Sequence, residues 1–361
     1  MIINIISSNK KGGAELLVHE LQKIFLKKGM DAFAYYFEGD SSILNKNEKI
    51  LNIKPRDPRN IFKIRKILKK HKLQTSKPLI VHAHLTWPFF FTVLASLGLK
   101  NINLVYTEHN TYNKRRSLPF LKYIEYLFYS KFKKIICISE GVANSLNQWT
   151  NKKLTDRLEI IPNGSRVFDL LERSPLSERK PKLISIGSLT SKKNFITTVK
   201  TLSLMSDIFE TYTIIGEGPE RKNLEEEIKK QKMQKKIILC GWSNSIQENL
   251  YKADIQLIPS LWEGFGLVAV EGMSTGLPII ASDVDGLREV LNKKNPAVSL
   301  INNPTDIQEW QLKINMMINK VRKEGFYNLS KAANIQAKQF SLDIMADKYI
   351  ATYDNVINYT T

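Results

Sequence analysis

Short apolar runs recur along the chain, each closed by a polar or glycine-bearing turn and followed by a stretch whose apolar residues return every three to four positions. Alternation of strand-type and helix-type patterns predicts an α/β protein. Met1 to Ser7 reads as a first buried strand, followed by Asn9-Lys10-Lys11-Gly12-Gly13-Ala14-Glu15 and an amphipathic helix through Lys28. Leu79 to His84 and Leu104 to Asn110 are apolar strands that end in polar residues, and Ile135 to Ser145 reads as a strand, a polar turn and a helix start. In the second half Leu183 to Leu189, Ile214 to Pro219 and Ile237 to Trp242 repeat the strand theme, with Lys222 to Lys236 as a highly charged, solvated helix. Phe340 to Ile357 is expected to form a last amphipathic helix.

The densest stretch is Pro259 to Asp283, PSLWEGFGLVAVEGMSTGLPIIASD. It puts Glu263 in a Trp-Glu-Gly-Phe-Gly turn, starts a helix near Leu267, sets Glu271 eight positions after Glu263, and breaks at Gly276-Leu277-Pro278 before a strand Ile279 to Ser282. Strand, glycine turn, helix and strand make a βαβ unit. The helix N-terminus offers unpaired N–H groups to an anion, and Gly264 and Gly266 let the backbone come close, so a diphosphate fits there. The Gly12-Gly13 loop repeats that arrangement, although two glycines also suit a plain tight turn. Ligands of parallel sheets bind at the carboxyl ends of strands, which makes His82, His84 and His109 candidates. Taken singly, each reads more readily as a structurally hydrogen-bonded histidine, and nothing nearby completes a metal ligand set.

The 361 residues suit two domains of similar size. The N-terminus has its apolar run before its lysines, the reverse of a signal peptide, and the apolar run Leu85 to Leu99 is shorter than the roughly 20 residues that span a bilayer. Cys137 and Cys240, far apart and beside apolar strands, are expected to be buried reduced thiols. Of the formal charge of +19, residues 1–180 carry +17 and the remainder +2. That asymmetry calls for a densely anionic partner of the first half, a membrane surface or a nucleic acid. No recognisable nucleic-acid module is present. Residues 59–74, RNIFKIRKILKKHKLQ, and Leu118 to Lys134 combine lysines with an apolar or aromatic face. Both suit an ordinary surface or core-packed helix as well as one lying at a membrane interface.

The Glu263/Glu271 stretch, with Ala253-Asp254 upstream and Gly286 to Val290 downstream, resembles the donor-site signature of retaining nucleotide-sugar glycosyltransferases of family 4, the glycosyl transferases group 1. The likeness extends to a Gly-Gly-x-Glu loop at Gly12, Gly13 and Glu15, to the strand and turn Ile160 to Gly164, and to the last helix, so it covers nearly the whole chain. It implies the α/β GT-B fold, two Rossmann-like domains facing each other across a deep cleft. The expected boundaries are 1–166 for an acceptor domain, rejoined by 340–361, then a linker over 167–181 and a donor domain over 182–339.

By the same resemblance, Gly12, Gly13, Gly264, Phe265, Gly266 and Leu267 contribute donor-site backbone. Glu263 binds donor-sugar hydroxyls, Glu271 the ribose and Lys193 the diphosphate, while His109 lies beside the reacting sugar carbon. Glu15, His82, His84 and Asn110 line the acceptor side or the cleft. The chain departs from the family at Gly187-Ser188-Leu189 and Lys193-Asn194: an arginine belongs at Ser188 and a second glycine at Asn194. Loss of a bidentate guanidinium at a diphosphate is not conservative, and Lys192 either compensates or turnover is slower. Asp283-Val284-Asp285 resembles an Asp-x-Asp metal motif only superficially, so no metal and no cofactor is expected.

The activity implied is transfer of a hexose-type sugar, from a UDP-sugar by family prevalence, to a hydroxyl of a lipid-linked or oligosaccharide acceptor with retention of configuration. The setting implied is bacterial surface polysaccharide or glycolipid assembly on the inner face of the cytoplasmic membrane, with the basic half on anionic lipid. The alternatives are a sugar-nucleotide epimerase of the same fold, and a non-catalytic basic protein that binds membrane or nucleic acid. The latter leaves the glutamate stretch and His109 unexplained.

Overall fold

The computed structural model describes residues 1–10, 13–110, 116, 118, 121–177 and 179–358. Its first half runs β1 (Ile2–Ser8), α1 (Gly13–Lys27), β2 (Ala32–Glu38), β3 (Glu48–Ile50), α2 (Arg59–Lys72), β4 (Leu79–His84), α3 (Thr86–Ser96), β5 (Ile102–Glu108), α4 (Leu121–Tyr129), β6 (Lys134–Cys137), α5 (Glu140–Trp149) and β7 (Leu158–Ile160). The second continues β8 (Leu183–Ile186), α6 (Phe195–Ser203), β9 (Tyr212–Ile215), α7 (Arg221–Lys230), β10 (Ile237–Gly241), α8 (Ile246–Tyr251), β11 (Ile255–Ile258), α9 (Leu267–Ser274), β12 (Ile279–Ser282), α10 (Asp285–Arg288), β13 (Val298–Ile301), α11 (Ile307–Glu324), α12 (Tyr327–Lys338) and α13 (Leu342–Asn358). The chain divides into two compact units, Met1–Gly164 with Leu342–Thr361, and Ser165–Ser341.

Among the described residues the first unit holds a seven-stranded sheet in the order β3-β2-β1-β4-β5-β6-β7 and the second a six-stranded sheet in the order β10-β9-β8-β11-β12-β13. Every pairing between these strands is parallel. Helices cover both faces of such sheets, which is why Leu79–His84 and Ile279–Ser282 are buried along their whole length and read as continuous apolar runs. Strand order reverses between β1 and β4 in one unit and between β8 and β11 in the other. Crevices at the carboxyl ends of those strands are where an open α/β sheet binds ligands.

One face of the first sheet is closed by α1 and α13. Leu17, Leu21 and Phe25 meet Met345, Tyr349, Tyr353 and Val356 over Ile2, Ile80, Val105 and Ile136. Phe89 on α3, Tyr129 at the end of α4 and Phe132 just after it are fully buried, with the Phe89 and Phe132 rings stacked at 5.3 Å. Removing one such ring costs about 3–5 kcal/mol of stability.

Four local readings change, the first being that the charged helix expected over Lys222 to Lys236 ends at Lys230. Among the described residues of the Leu118 to Lys134 stretch the helix is Leu121–Tyr129, and Lys134 already opens the strand Lys134–Cys137. Residues 167–181 pack along the second unit: the Phe168 N–H donates to Ser274 Oγ at 2.9 Å, Arg173 donates to the carbonyls of Ala253 and Thr275 at 3.0 and 2.5 Å, and Leu176 is buried. Cys137 is buried but Cys240 is exposed, since β10 is an edge strand with alternate positions open to solvent.

Candidate functional site

In the second unit the candidates gather at the β8/β11 reversal. A 3-10 turn over Ser191–Lys193 follows β8 and delivers Lys193, and the loop after β11 delivers Glu263. The Lys193 ammonium donates to Glu263 Oε1, which also accepts the Ser260 hydroxyl at 2.8 Å; each side chain of the ion pair is only 10% exposed. Leu261 N–H donates to the Lys192 carbonyl at 2.7 Å, joining the two loops through their backbones. Asn194, where the resembled pattern has glycine, has a φ of 53°, a left-handed conformation that asparagine tolerates. Its amide donates to the carbonyls of Pro259 (3.1 Å) and Pro304 (2.9 Å), so the replacement keeps the backbone conformation and adds two tethers.

Helix α9 begins at Leu267, preceded by Gly266 at φ 75°. A side chain at Gly266 would be both strained and within 2.7 Å of Leu287 Cδ2, so this turn requires glycine. A Cβ at Gly286 would stand 2.3 Å from the Glu263 carbonyl oxygen, which explains why α10 can pack beneath the glutamate turn. Phe265 is buried with its ring 5.9 Å from Phe340, whereas the space a Cβ would take at Gly264 is open. Glu271 is half-buried on α9; desolvation pushes its carboxyl up to about 7 against the pull of Arg166. Ser188 is half-buried between two backbone bonds, Gly187 N–H to Ile215 O and Leu189 N–H to Glu217 O, both 2.9 Å. Asp283 is committed to Arg288 (2.6 Å) and Lys293 (2.8 Å), and among the described residues no cluster of three His, Cys, Asp or Glu could hold a metal.

In the first unit His82 and His84 end β4, and His109 and Asn110 follow β5. His82 is a correction: both its ring nitrogens are engaged, Nδ1 with the Tyr353 hydroxyl at 2.6 Å and Nε2 with Thr107 Oγ1 at 2.7 Å, and the residue has no exposed surface to line anything. His84 is 1% exposed, with its ring 4.0 Å from that of His82 and Nε2 at 3.4 Å from Asn4 Oδ1. Burial holds both imidazoles well below their usual range, with their histidine neighbours adding to it. His109 lies 5.8 Å from His84, ring to ring; its Nε2 is shut away without a hydrogen-bond partner, and desolvation pushes it down to about 4. Asn110 is exposed. Glu15, half-buried in the first turn of α1, has its carboxyl raised by burial, and Gly13 opens that helix with free space at its Cβ position. Gly12 lies outside the described residues.

Sequence reasoning missed Ser260 and Arg166. Ser260 sits three positions before Glu263, a short-range signal that a serine adjoining a functional carboxylate offers only once the loop is seen to curl back. Arg166 is 105 positions from Glu271 in a loop of no evident pattern, and only the fold brings them together.

A family model described as glycosyl transferases group 1 matches residues 168–338, and one described as glycosyltransferase family 4 matches residues 11–166. The O-antigen biosynthesis glycosyltransferase WclY of Escherichia coli is 23% identical over 374 residues, covering 98% of each chain. The Escherichia coli UDP-Gal:alpha-D-GlcNAc-diphosphoundecaprenol alpha-1,3-galactosyltransferase is 26% identical over 255 residues, 64% of this chain and 63% of the relative. The crystal structure of a glycosyltransferase from Rickettsia africae superposes with a TM-score of 0.85 at 22% identity, over 99% of this chain and 98% of that one. With both halves matched by the two models and the parallel-sheet fold shared along its length, the chain belongs to the group 1, family 4 glycosyltransferases and has their GT-B fold.

Proposed function

We propose that this glycosyltransferase moves a hexose from a uridine diphosphate sugar to a hydroxyl of a lipid-linked or glycan acceptor, with retention and without a metal. The observation that carries the reading is the Lys193–Glu263 pair set beside the N-terminus of α9 at the β8/β11 reversal. An ammonium and free helix amides stabilise charge that builds on a departing diphosphate. Glu263, released from Lys193 when the diphosphate arrives, then accepts hydrogen bonds from sugar hydroxyls, and Glu271 accepts from the ribose. In the favoured scheme a leaving-phosphate oxygen takes the acceptor proton as the acceptor oxygen bonds the anomeric carbon from the same face. His109, neutral through burial, orients the transition state without acting as a base.

The name of the galactosyltransferase relative, with UDP-Gal as donor and a GlcNAc-diphosphoundecaprenol acceptor, supports both the nucleotide and a lipid-diphosphate acceptor. Work at an anionic membrane face is supported by the +17 of residues 1–180 and by apolar side chains on neighbouring helices of the first unit. Tyr123, Ile124 and Leu127 of α4 are 75, 44 and 61% exposed, and the α3 residue Phe90 meets Phe128 of α4 at 4.9 Å with Leu94 and Leu97 exposed beyond it. No helix among the described residues is long and apolar enough to cross a membrane.

The test is a thermal-shift panel of nucleoside diphosphates and diphospho-sugars without added metal, on wild type and Glu271→Ala, followed by a transfer assay with the stabilising donor. One donor should raise Tm in wild type and not in the variant. A flat panel together with absent transfer would sink the reading.

A further inference from the structure

Thr107 and Glu108 are consecutive on β5, so their side chains leave opposite faces of the sheet. On the α13 face, Thr107 Oγ1 meets His82 Nε2 at 2.7 Å and the Tyr349 hydroxyl at 3.2 Å, all fully buried. On the α4 face, Glu108 is 1% exposed and accepts from the Tyr129 hydroxyl at 2.7 Å and from Arg116 Nη2 at 3.3 Å. Its other oxygen accepts the backbone N–H of Asn110 at 3.3 Å, closing a small ring around His109. Arg116 also donates to Ser145 Oγ at 2.9 Å, which ties the end of β5 to α5. His109 Nε2, by contrast, meets no hydrogen-bond partner. An imidazole without that bond has to be aimed by its backbone and its packing, and the backbone corner is what Glu108 grips.

We infer that Glu108 is a positioning residue for His109, supported by Arg116 and Tyr129; this rests on the reading of His109 as the group beside the reacting carbon. Ionised hydrogen bonds in a buried setting are strong and directional, so the carboxylate sets the angle at which the chain leaves β5. A displacement of about 1 Å at a transition-state contact costs on the order of 100-fold in rate. Binding of the donor, carried by the second unit's residues, has no comparable dependence on this corner.

The experiment uses the full chain as Glu108→Gln and, as the milder change, Tyr129→Phe, which leaves the Glu108–Arg116 pair intact. Transfer kinetics should show kcat down at least about tenfold in Glu108→Gln with the donor KM within about twofold, a split that general loss of fold does not produce. The second readout needs no activity: spectra of protein carrying 15N-histidine, with His109 assigned by its loss in His109→Ala. The His109 signals should shift or broaden in both variants while those of His19 and His71 stay in place. Unmoved His109 signals in both, or equal losses in kcat and donor affinity, would overturn the inference; should Glu108→Gln not fold, Tyr129→Phe decides by the same criteria. Absence of transfer even in wild type would count against the proposed function, and the spectra would still decide the role of Glu108.

Discussion

Lys193 and Glu263 neutralise each other across two strand-end loops, with Ser260 bonded to the same carboxylate oxygen. The lysine is thus held by the residue proposed to receive the sugar. Lys193→Met should weaken nucleoside diphosphate binding by about tenfold or more and, by leaving Glu263 unpaired in a poorly solvated place, lower stability by roughly 1–3 kcal/mol. The double variant Lys193→Met with Glu263→Gln should regain part of the stability and none of the affinity. Denaturant unfolding beside calorimetric titration separates the two; equal recovery of both would contradict the division of labour.

Glu271 links the site to pH. Its carboxyl is raised to about 7, so the folded state favours the protonated form more than the unfolded chain does. The stability it contributes is fully present below the unfolded value near 4.5 and is lost as pH rises through about 7. Replacing it by glutamine should remove this slope, so the stability advantage of Glu271→Gln over wild type in denaturant unfolding should be larger at pH 8 than at pH 5, on the order of 1–2 kcal/mol after discounting for partial exposure. Nucleotide affinity should move the other way, strengthening between pH 6 and 8 in wild type as the carboxylate ionises.

His109 gives the opposite pH expectation. With its imidazole pushed down to about 4 by burial, it is expected to be neutral from pH 5.5 to 8. The pH profile of kcat from 5.5 to 8 should contain no limb that disappears in His109→Gln, while His109→Ala should lower kcat by about 100-fold or more with donor affinity little changed. A loss confined to donor binding would remove His109 from the transition state.

Ser188→Arg asks whether the family guanidinium can be restored. The backbone at this position is fixed by bonds on both sides, so the new side chain starts from a rigid base. Nucleoside diphosphate should bind roughly tenfold tighter, as one charge-assisted bidentate contact would give. Unchanged affinity would mean that Lys192 already fills the role.

For the membrane, vesicles of phosphatidylglycerol should retain the protein at low salt and release it as salt rises, and phosphatidylcholine vesicles should not retain it. The pair Tyr123→Ser and Leu127→Ser should reduce retention several-fold with Tm nearly unchanged, because both side chains are largely exposed. Indifference to lipid charge would remove the membrane from the reading.

The local structure around the second unit's candidate site was legible because its parts are close in sequence: Glu263, the αL glycine at Gly266, the helix start at Leu267 and Glu271 all fall within one βαβ segment. The first unit's site was legible only as strand ends. His82 and His84 look alike in Leu79–His84, since both point to the same face at a spacing of two. Only the arrival of Tyr353 from 271 positions away spends His82 on a structural bond. Long-range partners of that kind, and the Glu108–Arg116–Tyr129 grip, leave no periodic trace. The basic helices were ambiguous for a related reason: α2 buries Ile64 and Leu68 as an ordinary core-facing helix does, yet leaves Phe62 74% exposed.

The closure of the first unit's core by α13 has a consequence for how the protein is made. Met345, Tyr349, Tyr353 and Val356 are the layer that covers Ile2, Ile80, Val105 and Ile136 on one face of the first sheet. A ribosome reaches those residues only after the whole of the second unit has been synthesised. Until then the nascent first unit has that face covered by α1 but not by α13, while the second unit is contiguous from Ser165 to Ser341. The first unit's strands are therefore made first but its core is completed last, and the apolar surface left open in the meantime is of the kind that aggregates.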